Sequence, residues 1–426
     1  MSLLPALGTG LYHLGVRLAA PFVPKARQWV DGRKGLWQRL EARRDQLQGC
    51  LWMHCASVGE FEQGRPVLEA IKAARPDLPV LLTFFSPSGY EARKNLASGT
   101  PSGLVTHVEY LPPDSAAHAQ RILQLVKPRR VLWVKYEFWP NYLHALNAAH
   151  VPVDLVSGIF RPGQPFFRWY GGAWRSMLGC FAHLFVQDEA SRELLAGIGI
   201  TNTTVSGDTR YDRVAAIVKA NEEIPLATAF GGKEVVVIAG STWPADEALL
   251  LEAFQLLGHA PKVLVVPHEL DAPHLRSIEQ RFPKPLARWS ELEHSPAESV
   301  RHTLGQESSA TLLVDRMGLL ARLYRHGHIA YVGGGFGDGI HSLLEAAAWG
   351  LPVLFGPRHQ KFAEAKGLIE AGGGFEVRNA RQLADMLEIL LRDAAVRREA
   401  SEAASQHVQE RVGATRTVTA HVLAEL

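Results

Sequence analysis

The sequence predicts an α/β protein with two parallel sheets, each covered by helices on both faces. Short apolar runs alternate with longer amphipathic segments from residue 50 onwards, and the alternation restarts at residue 234. The runs are apolar along their whole length, which is typical of parallel strands buried on both faces. At 426 residues the chain is longer than one hydrophobic core supports, so we expect two domains.

In the first half, the strand CLWMHCAS is followed by EQGRPVLEAIKAARP, which has the spacing of a helix. Later strands are predicted in PVLLTFF, LVTHVEYLP, RRVLWVKY, VPVDLVSG and HLFVQD. Helices are predicted between them, in SPSGYEARKNLA, near 115–126, from Pro140 to about Ala149, and around 165–180.

The second half repeats this architecture after residues 213–230, which lack a strand pattern. Its strands are predicted in EVVVIAGST, PKVLVVPH, TLLVD, HIAYVGGG and LPVLFGP, and the charged segment 382–426 is predicted to be helical. We expect two Rossmann-like domains facing each other across a cleft, with ligands at the carboxyl ends of the strands. The predicted ranges are a membrane-associating segment at 1–45, a first domain at 46–212, a linker at 213–230, a second domain at 231–395 and a C-terminal helix at 396–426.

The N-terminal stretch SLLPALGTGLYHLGVRLAAPFV is apolar but is interrupted by Pro5, His13, Arg17 and Pro21, so it is a poor membrane span. The segment behind it is basic: Asp31 and Glu41 are its only acids, against Lys25, Arg27, Arg33, Lys34, Arg39, Arg43 and Arg44. Together the two segments predict an interfacial anchor on anionic lipid. The alternative is a helix packed on its own domain.

Composition and motifs exclude several classes of protein. The net charge is only +2, and the basic excess is confined to the N-terminal segment. Nucleic-acid binding is therefore not expected. HExxH, clustered Cys and His, EF-hand, GxSxG and P-loop patterns are absent, so we expect no metal and no cofactor. Three cysteines without a CxxC pair indicate a reduced compartment, and hence a cytoplasmic location for the site.

The glycine-rich stretch YVGGGFGDGIHSLLEAAAWGLPVLFGP at 331–357 is the strongest signal for a site. Glycines after a strand let the backbone approach an anion, and a following helix N-terminus attracts phosphate. A strand-to-helix turn also uses glycine for steric reasons alone. Glu345 is four residues after His341, and we predict both on one face of a helix starting near Ile340. A carboxylate there suits ribose hydroxyls, so we predict a nucleotide site in the second domain.

Polar residues also follow predicted strands in the first half, at Ser57 to Glu60, Ser86 to Gly89, and Glu137. Such residues meet at one edge of a parallel sheet, where a carboxylate could act as a catalytic base. The alternatives are ordinary ones, because serines cap helices and acids stabilise helix N-termini.

Taken in order, the motifs HCASVGE, TFFSPSGYE, YEFWPN, SGDTRYD, AGST and VGGGFGDGIHSLLEAAAWGLPVLFGP, followed by KFAEA, resemble those of the Kdo transferases. These are the 3-deoxy-D-manno-octulosonic acid transferases of lipopolysaccharide biosynthesis in Gram-negative bacteria, glycosyltransferase family 30. The resemblance covers nearly the whole chain. It implies a GT-B fold and an inverting, metal-independent transfer of Kdo from CMP-Kdo to the 6′ position of a lipid A precursor, lipid IVA. The implied location is the cytoplasmic side of the inner membrane.

Carried onto this chain, the resemblance implies Glu60 as general base and Glu137 as a second catalytic acid. The implied CMP-Kdo contacts are Gly240, Ser241, Thr242, Pro267, His268, Met317, Gly318, Gly335, Phe336, Gly337, His341, Glu345, Lys361 and Glu364. On the acceptor and Kdo side the candidates are Ser57, Gly59, Ser86 and Ser88, with Arg161 and Arg210 added by charge because Kdo carries a carboxylate.

The chain departs from the family pattern at three places. Residues 341–345 read HSLLE where members often read HNPLE, His268-Glu269 replaces an Arg-His pair, and Lys361 replaces an asparagine. Two other functions stay open. One is another GT-B enzyme, such as a nucleotide-sugar 2-epimerase or a hexosyltransferase, which would not need the apolar and basic N-terminus. The other is a non-catalytic membrane-associated binding protein, which would not need acids at two strand ends.

Overall fold

The computed structural model describes residues 3–97, 103–135, 137–304 and 309–426. The chain divides into two compact units, the first being Met1–Arg213 with Val412–Leu426 and the second Val214–Arg411. Each unit contains a parallel sheet with helices, so the predicted α/β class is confirmed. Tyr136, the last residue of the predicted strand RRVLWVKY, lies outside the described residues.

The first unit has a sheet in which all neighbouring strands are parallel. Its strands are β1 (Leu51–Cys55), β2 (Val80–Phe84), β3 (His107–Tyr110), β4 (Arg130–Val134), β5 (Val153–Gly158), β6 (His183–Val186) and β7 (Thr203–Val205). Their order is β3-β2-β1-β4-β5-β6-β7. Every residue of β1, β2, β4 and β5 is buried, which explains why these strands are apolar without alternation.

The helices of this part of the chain precede β1 or connect successive strands, except the last, which follows β7 and runs past Arg213, where the first unit's main segment ends. They are α1 (Leu3–Ala19), α2 (Pro24–Gly32), α3 (Leu36–Glu41), α4 (Arg44–Leu47), α5 (Val58–Ala74), α6 (Pro87–Arg93), α7 (Ala116–Val126), α8 (Pro140–Ala148), α9 (Gly172–Leu178), α10 (Glu189–Ala196) and α11 (Thr209–Ala220). Short 3₁₀ helices cover Lys94–Leu96 and Pro165–Phe167.

The second unit has its own parallel sheet. Its strands are β8 (Val236–Thr242), β9 (Lys262–Pro267), β10 (Leu286–Arg288), β11 (Ala310–Leu313), β12 (Ile329–Val332), β13 (Val353–Phe355) and β14 (Gly374–Glu376). Their order is β10-β11-β9-β8-β12-β13-β14. The buried faces of β8, β9, β12 and β13 form the centre of this unit's core.

The helices of the second unit begin within the stretch predicted as a linker, 213–230, because the first of them starts at Pro225 and ends at Gly231. They are α12 (Pro225–Gly231), α13 (Pro244–Leu257), α14 (Ala272–Arg281), α15 (Trp289–Leu292), α16 (Ala297–Leu304), α17 (Leu320–Leu323), α18 (Leu344–Ala348), α19 (Ala363–Ala371), α20 (Ala380–Arg392) and α21 (Ala394–Gln409). A 3₁₀ helix covers Tyr324–His326.

The C-terminal segment contains two helices rather than the single one predicted over 396–426. After α21, the helix α22 (Ala414–Ala424) belongs to the first unit and packs against α5. Val418 and Val422 of α22 are fully buried, and Asp212 accepts hydrogen bonds from the backbone N–H groups of Gly413 (2.9 Å) and Thr415 (3.1 Å). The last helix is therefore an integral part of the first unit.

Three strands were not predicted from the sequence. These are β7, β10 and β14, each three residues long and each at the edge of its sheet. Edge strands are half-paired and short, so their residues need not form the apolar run that marks a central strand.

The helix predicted to start near Ile340 is wrong in position, because α18 begins at Leu344. The residues between the glycine run and α18 fold back instead of starting a helix. His341 N donates to Gly333 O (3.1 Å), and Ile340 N donates to Arg358 O (3.2 Å). These bonds hold the two residues in a loop.

The N-terminal helix α1 packs on its own unit and also exposes apolar side chains. It contacts α2, α8 and α9, and His13 is buried between Trp29 and Trp139, with ring centroids 5.6 and 6.0 Å away. In contrast, Leu11 is 69% exposed and Leu18 is 67% exposed. No helix within the described residues is long and apolar enough to cross a membrane.

Candidate active site

The acidic candidates of the first unit lie on turns after neighbouring strands. Glu60 follows β1 and Glu137 follows β4, and these strands are paired in the sheet. Between them the chain order changes direction, because β2 and β3 lie on one side and β5 to β7 on the other. This is the switch point at which open α/β sheets bind ligands, outside the carboxyl ends of the strands.

Glu60 is the third residue of α5 and its side chain folds back over the preceding turn. Its Oε2 accepts a hydrogen bond from Ala56 N at 2.5 Å, and its own N–H donates to Ser57 Oγ at 3.4 Å. The residue is only 8% exposed. Glu60 therefore stabilises the start of α5, as the ordinary reading expects, and one carboxylate oxygen is held in a fixed position by the backbone.

Glu137 lies between β4 and α8, half-buried among tryptophans. Its Oε2 accepts a hydrogen bond from Trp139 Nε1 at 3.1 Å, and its carbonyl accepts one from Trp133 Nε1. Burial, and then the negative charge of Glu60, raise the pKa of Glu137 to about 8, against smaller opposing effects of Trp139 and Arg33. At neutral pH Glu137 is therefore mostly protonated beside Glu60.

Arg33 is a charged neighbour of this pair that the sequence placed only in a basic segment. Its guanidinium donates to the carbonyls of Trp29 (3.0 Å), Phe85 (2.8 Å) and Leu111 (3.0 Å). Two of these partners are 52 and 78 residues away in sequence. No local pattern signals contacts of that separation, so only the fold could reveal them.

The serine candidates lie on the turns at this same edge. Ser57 and Ser86 cap α5 and α6, as the ordinary reading expects, and Ser86 Oγ lies 3.3 Å from Ser88 Oγ. Ser86 N donates to Ala56 O at 2.9 Å, which fastens the turn after β2 to the turn that carries Glu60. Gly59 lies in the first turn of α5, next to Glu60.

The two arginine candidates differ in their surroundings. Arg161 is exposed, and its backbone N–H donates to Gln164 Oε1 at 2.9 Å. Arg210 is half-buried and its Nε donates to Asp208 Oδ2 at 2.8 Å. The neighbouring Thr209 donates to Gln63 O in α5, so the turn bearing Arg210 is tied to the helix of Glu60. Arg210 is thus the better positioned of the two.

In the second unit, several nucleotide-site candidates have structural roles. A Cβ at Gly240 would collide with the hydroxyl of Tyr324, so this position requires glycine. Ser241 has a φ of 52°. Thr242 is fully buried, and its Oγ1 donates to Glu247 Oε1 at 3.1 Å.

Asp246 organises the glycine loop, residues 333–339 after β12. It was not among the predicted site residues. Its Oδ2 accepts from Trp243 N (3.0 Å) and Gly334 N (2.9 Å), and its Oδ1 accepts from Tyr331 Oη (2.8 Å). Gly334 has a φ of 92°, which favours glycine. The signal was present, since an acid three residues after Trp243 fits a helix N-terminus followed by Pro244 at its first position.

Some backbone N–H groups of the glycine loop form hydrogen bonds within the loop, and others do not. The N–H groups of Gly337 and Gly339 both donate to Gly334 O, at 2.9 and 3.2 Å. The N–H groups of Gly335 and Phe336 donate to no acceptor among the described residues. A Cβ at Gly335 would lie 2.6 Å from backbone atoms of Gly356, so this glycine is required by packing. Gly335 and Phe336 are therefore the loop's available donors.

Three aromatic rings stack at the carboxyl ends of β8 and β9. The ring of His268 stacks with those of Trp243 (centroids 4.7 Å apart) and His341 (4.4 Å), and Trp243 Nε1 donates to His341 Nε2 at 3.1 Å, so the three rings are in mutual contact. Burial, and then the charge of His268, lower the pKa of His341. The predicted pairing of His341 with Glu345 on one helix face is wrong, because His341 precedes α18.

The remaining candidates are distributed around this edge of the second sheet. Met317 and Gly318 follow β11, and Met317 is 76% exposed. Pro267 ends β9, and Glu345 lies in the first turn of α18. Glu364 is buried in α19, and its negative charge acts against the lowering of the His407 pKa that burial causes. Lys361, in contrast, is exposed. No group of His, Cys, Asp and Glu among the described residues could hold a metal ion.

Comparison with known proteins identifies the family. Residues 31–213, which carry Glu60 and Glu137, match the model of the 3-deoxy-D-manno-octulosonic-acid transferases (kdotransferases). A 3-deoxy-D-manno-octulosonic acid transferase of Bordetella pertussis is 28% identical over 96% of this chain and 97% of its own length. The chain is thus similar to Kdo transferases over nearly its whole length. A second Kdo transferase, from Aquifex aeolicus, is 29% identical over 81% of this chain and 86% of its own length.

Solved structures support the predicted GT-B fold of this chain. A UDP-GlcNAc 2-epimerase from Neisseria meningitidis, solved with UDP-GlcNAc, matches with a TM-score of 0.59 over 88% of this chain and 99% of that chain, at 14% identity. A similarity at that identity concerns the fold alone. The predicted fold and the resemblance to the Kdo transferases are thus both confirmed, while the roles of single residues stay predictions.

Proposed function

We propose that this Kdo transferase moves Kdo from CMP-Kdo to the 6′ hydroxyl of a lipid A precursor, lipid IVA. The observation that carries the proposal is the pair of acids at the switch point of the first sheet, Glu60 and Glu137. Burial and the charge of Glu60 raise the pKa of Glu137 to about 8. Two acids in different protonation states suit a reaction that moves one proton.

In the proposed reaction, Glu60 accepts the proton of the acceptor hydroxyl while that oxygen attacks the anomeric carbon of Kdo. The bond between this carbon and the phosphate oxygen of CMP breaks, CMP leaves with the electron pair, and the configuration inverts. Glu137 keeps its proton because a second negative charge beside Glu60 is unfavourable. The protonated Glu137 can donate a hydrogen bond, and Glu60 is left as the base.

The second unit is proposed to bind the CMP part of the donor without a metal. The free N–H groups of Gly335 and Phe336 and the imidazole of His268 are the proposed partners of its phosphate. His268 stacks on the rings of Trp243 and His341, which are hydrogen-bonded to each other, so its imidazole is held in place beside the carboxyl ends of β8 and β9. The carboxylate of Glu345 is proposed to accept ribose hydroxyls.

The proposed location is the cytoplasmic side of the inner membrane, with the first unit attached peripherally. Exposed apolar side chains on and after α1, among them Leu11, Leu18 and Phe22, support this location, as does the basic segment 25–44. A second exposed element supports it too, because α9 contacts α1 and the loop before α9 exposes Trp169 by 92%. Tryptophan is common at membrane interfaces.

The direct test is to incubate the protein with CMP-Kdo and a tetra-acylated lipid A precursor. We expect release of CMP and a lipid whose mass has increased by one or more Kdo units, and we expect a chelator to leave the rate unchanged. UDP-GlcNAc is the control substrate, because its epimerisation would support the alternative of a nucleotide-sugar 2-epimerase. Absence of any Kdo-bearing lipid would contradict the proposal.

A further inference from the structure

A pocket of about 210 Å³ in the first unit carries positive charge on its walls and no acid. Among the residues that line it, Arg17 comes from α1 and His118 from α7. Arg33 and Lys34 directly follow α2 and contribute two further cations. Pockets for drug-sized ligands measure roughly 300 to 1,000 Å³, so this one suits a single small charged group.

Arg33 forms the deepest part of this positive surface. Its guanidinium lies 3.8 Å from the centre of the Trp29 ring, and its side-chain hydrogen bonds go to neutral carbonyl oxygens. In the described part of the chain no carboxylate forms an ion pair with it. Burial lowers the pKa of Arg33 to about 9. The guanidinium is half-buried and its hydrogen-bond partners are all neutral, so a bound anion would offset part of the cost of burying its charge.

The other cations of the pocket are available to a ligand. The Arg17 side chain makes no hydrogen bond or ion pair with a described residue, and it is exposed. Lys34 pairs with Asp31 at 2.7 Å, but both side chains are largely exposed, so this pair is easily exchanged. His118 Nδ1 donates to Pro113 O at 2.8 Å, so Nε2 of the neutral ring is an acceptor and offers no hydrogen bond to an anion.

We infer that this pocket binds a phosphomonoester, with Arg17, Arg33 and Lys34 around the phosphate and Trp37 against the group that carries it. A phosphomonoester has nearly two negative charges and three oxygens that accept hydrogen bonds, which matches converging guanidinium and ammonium groups. A phosphodiester has one charge and two such oxygens, so the pocket should bind it less well.

The phosphomonoester could be carried by the lipid acceptor or by a membrane lipid head group. Both sources are compatible with the position of Arg17, which lies on the helix that exposes Leu11, Leu14 and Leu18. The choice of a lipid-borne phosphate rests on the proposed function, whereas the anion site itself does not depend on it.

The first experiment measures binding of a soluble phosphomonoester, glycerol 3-phosphate, to the full chain by calorimetry. Glycerophosphoglycerol, a diester, is the comparison ligand. We expect Arg17→Ala and Lys34→Ala each to weaken binding of the monoester roughly tenfold, the effect of losing one charged hydrogen bond. Both residues are exposed, so the fold should be retained, which a thermal melt checks.

Lys25→Ala is the matched control, because Lys25 is an exposed lysine on α2 that does not line the pocket. It should bind the monoester like the unmodified chain. Equal affinity for monoester and diester, an effect of Lys25→Ala as large as that of Lys34→Ala, or unchanged binding by an Arg17→Ala/Lys34→Ala double variant would each overturn the inference.

A second experiment distinguishes the sources of the phosphate. Phosphatidylcholine vesicles containing phosphatidic acid, a monoester, are compared with vesicles containing phosphatidylglycerol, a diester. Preference for phosphatidic acid that Arg17→Ala/Lys34→Ala abolishes would assign the site to a head group. A rise in KM for the phosphorylated acceptor, but not for a dephosphorylated one, in the same variant would assign it to the acceptor. If no transfer occurs with any lipid, the proposed function fails and the titration still decides the pocket.

Discussion

Glu60 and Glu137 share one end of the first sheet but differ in what surrounds them. Glu60 is held by the N–H of Ala56 at the start of a helix, an environment that favours a negative charge. Glu137 lies among tryptophans, and burial together with the charge of Glu60 raises its pKa to about 8. The surroundings alone thus favour the charged form of one carboxyl group and the neutral form of the other, as in enzymes that use one acid and one base.

The base is tested by Glu60→Gln. The amide oxygen can still accept from Ala56 N, so the helix start should be retained, while proton acceptance is lost. We expect turnover of CMP-Kdo to fall by about 10²- to 10⁴-fold with an unchanged melting temperature. Glu62→Gln on the same helix is the control, since it loses only partly exposed ion pairs with Arg93 (2.7 Å) and Arg213 (3.6 Å). A Glu60→Gln variant with near-full activity would remove Glu60 from the mechanism.

The protonation of Glu137 is tested by the pH dependence of stability. Its pKa is higher in the folded state, about 8, than its ordinary value of 4.5. Its contribution to stability is therefore complete below about pH 4.5 and is lost as the pH rises through about 8. Glutamine cannot ionise, so between these pH values the free energy of unfolding of Glu137→Gln should progressively exceed that of the unmodified chain, by several kcal/mol at most, and its melting temperature should rise accordingly. A difference in melting temperature that is constant with pH would show that the pKa is not raised.

At the scale of elements, the turns after parallel strands place the candidate residues, and hydrogen bonds between turns keep them together. In the first unit, Ser86 N reaches Ala56 O across two turns. In the second, Asp246 at the start of α13 holds the glycine loop that follows β12, a connection that spans 88 residues. Each site is therefore organised by bonds between elements as well as by the strands themselves.

The glycine loop is tested by Asp246→Ala. Asp246 is 1% exposed and accepts three hydrogen bonds, so its loss leaves buried donors unpaired. We expect the free energy of unfolding to fall by about 3 to 5 kcal/mol, and the KM for CMP-Kdo to rise because the loop is released. Chemical unfolding and initial rates measure both effects. Glu252→Ala, at an exposed position of the same helix, should change neither quantity. An unchanged KM in Asp246→Ala would show that the loop does not contribute to binding of the donor.

At the scale of the whole molecule, the first unit combines an exposed apolar surface with a positive one. Replacement of Leu14 and Leu18 by Asp should abolish sedimentation with anionic vesicles, because burying each leucine in lipid contributes roughly 1.5 to 3 kcal/mol. Leu256→Asp, an exposed leucine of the second unit, is the control. If the double variant still sediments like the unmodified chain, α1 is not the membrane contact.

Much of the fold and part of the site could be predicted from the sequence. Central strands such as β1 and β4 are mostly apolar, and Ser57 and Ser86 stand where helix caps are needed, so both follow from residues that are close in sequence. The start of α18 at Leu344 could not be predicted, because it depends on a bond from Ile340 to Arg358, beyond the next strand.

By itself, the sequence determined the α/β class, the doubling of the sheet and the family, because each depends on local periodicity or on ordered motifs. It also determined that Glu60 follows the first strand of the sheet. Only the tertiary structure decided that Glu137 lies close enough to be affected by the charge of Glu60, and that Arg33 meets three carbonyls instead of a carboxylate. The physical reason is that electrostatic effects depend on distance and burial, which only the folded chain establishes.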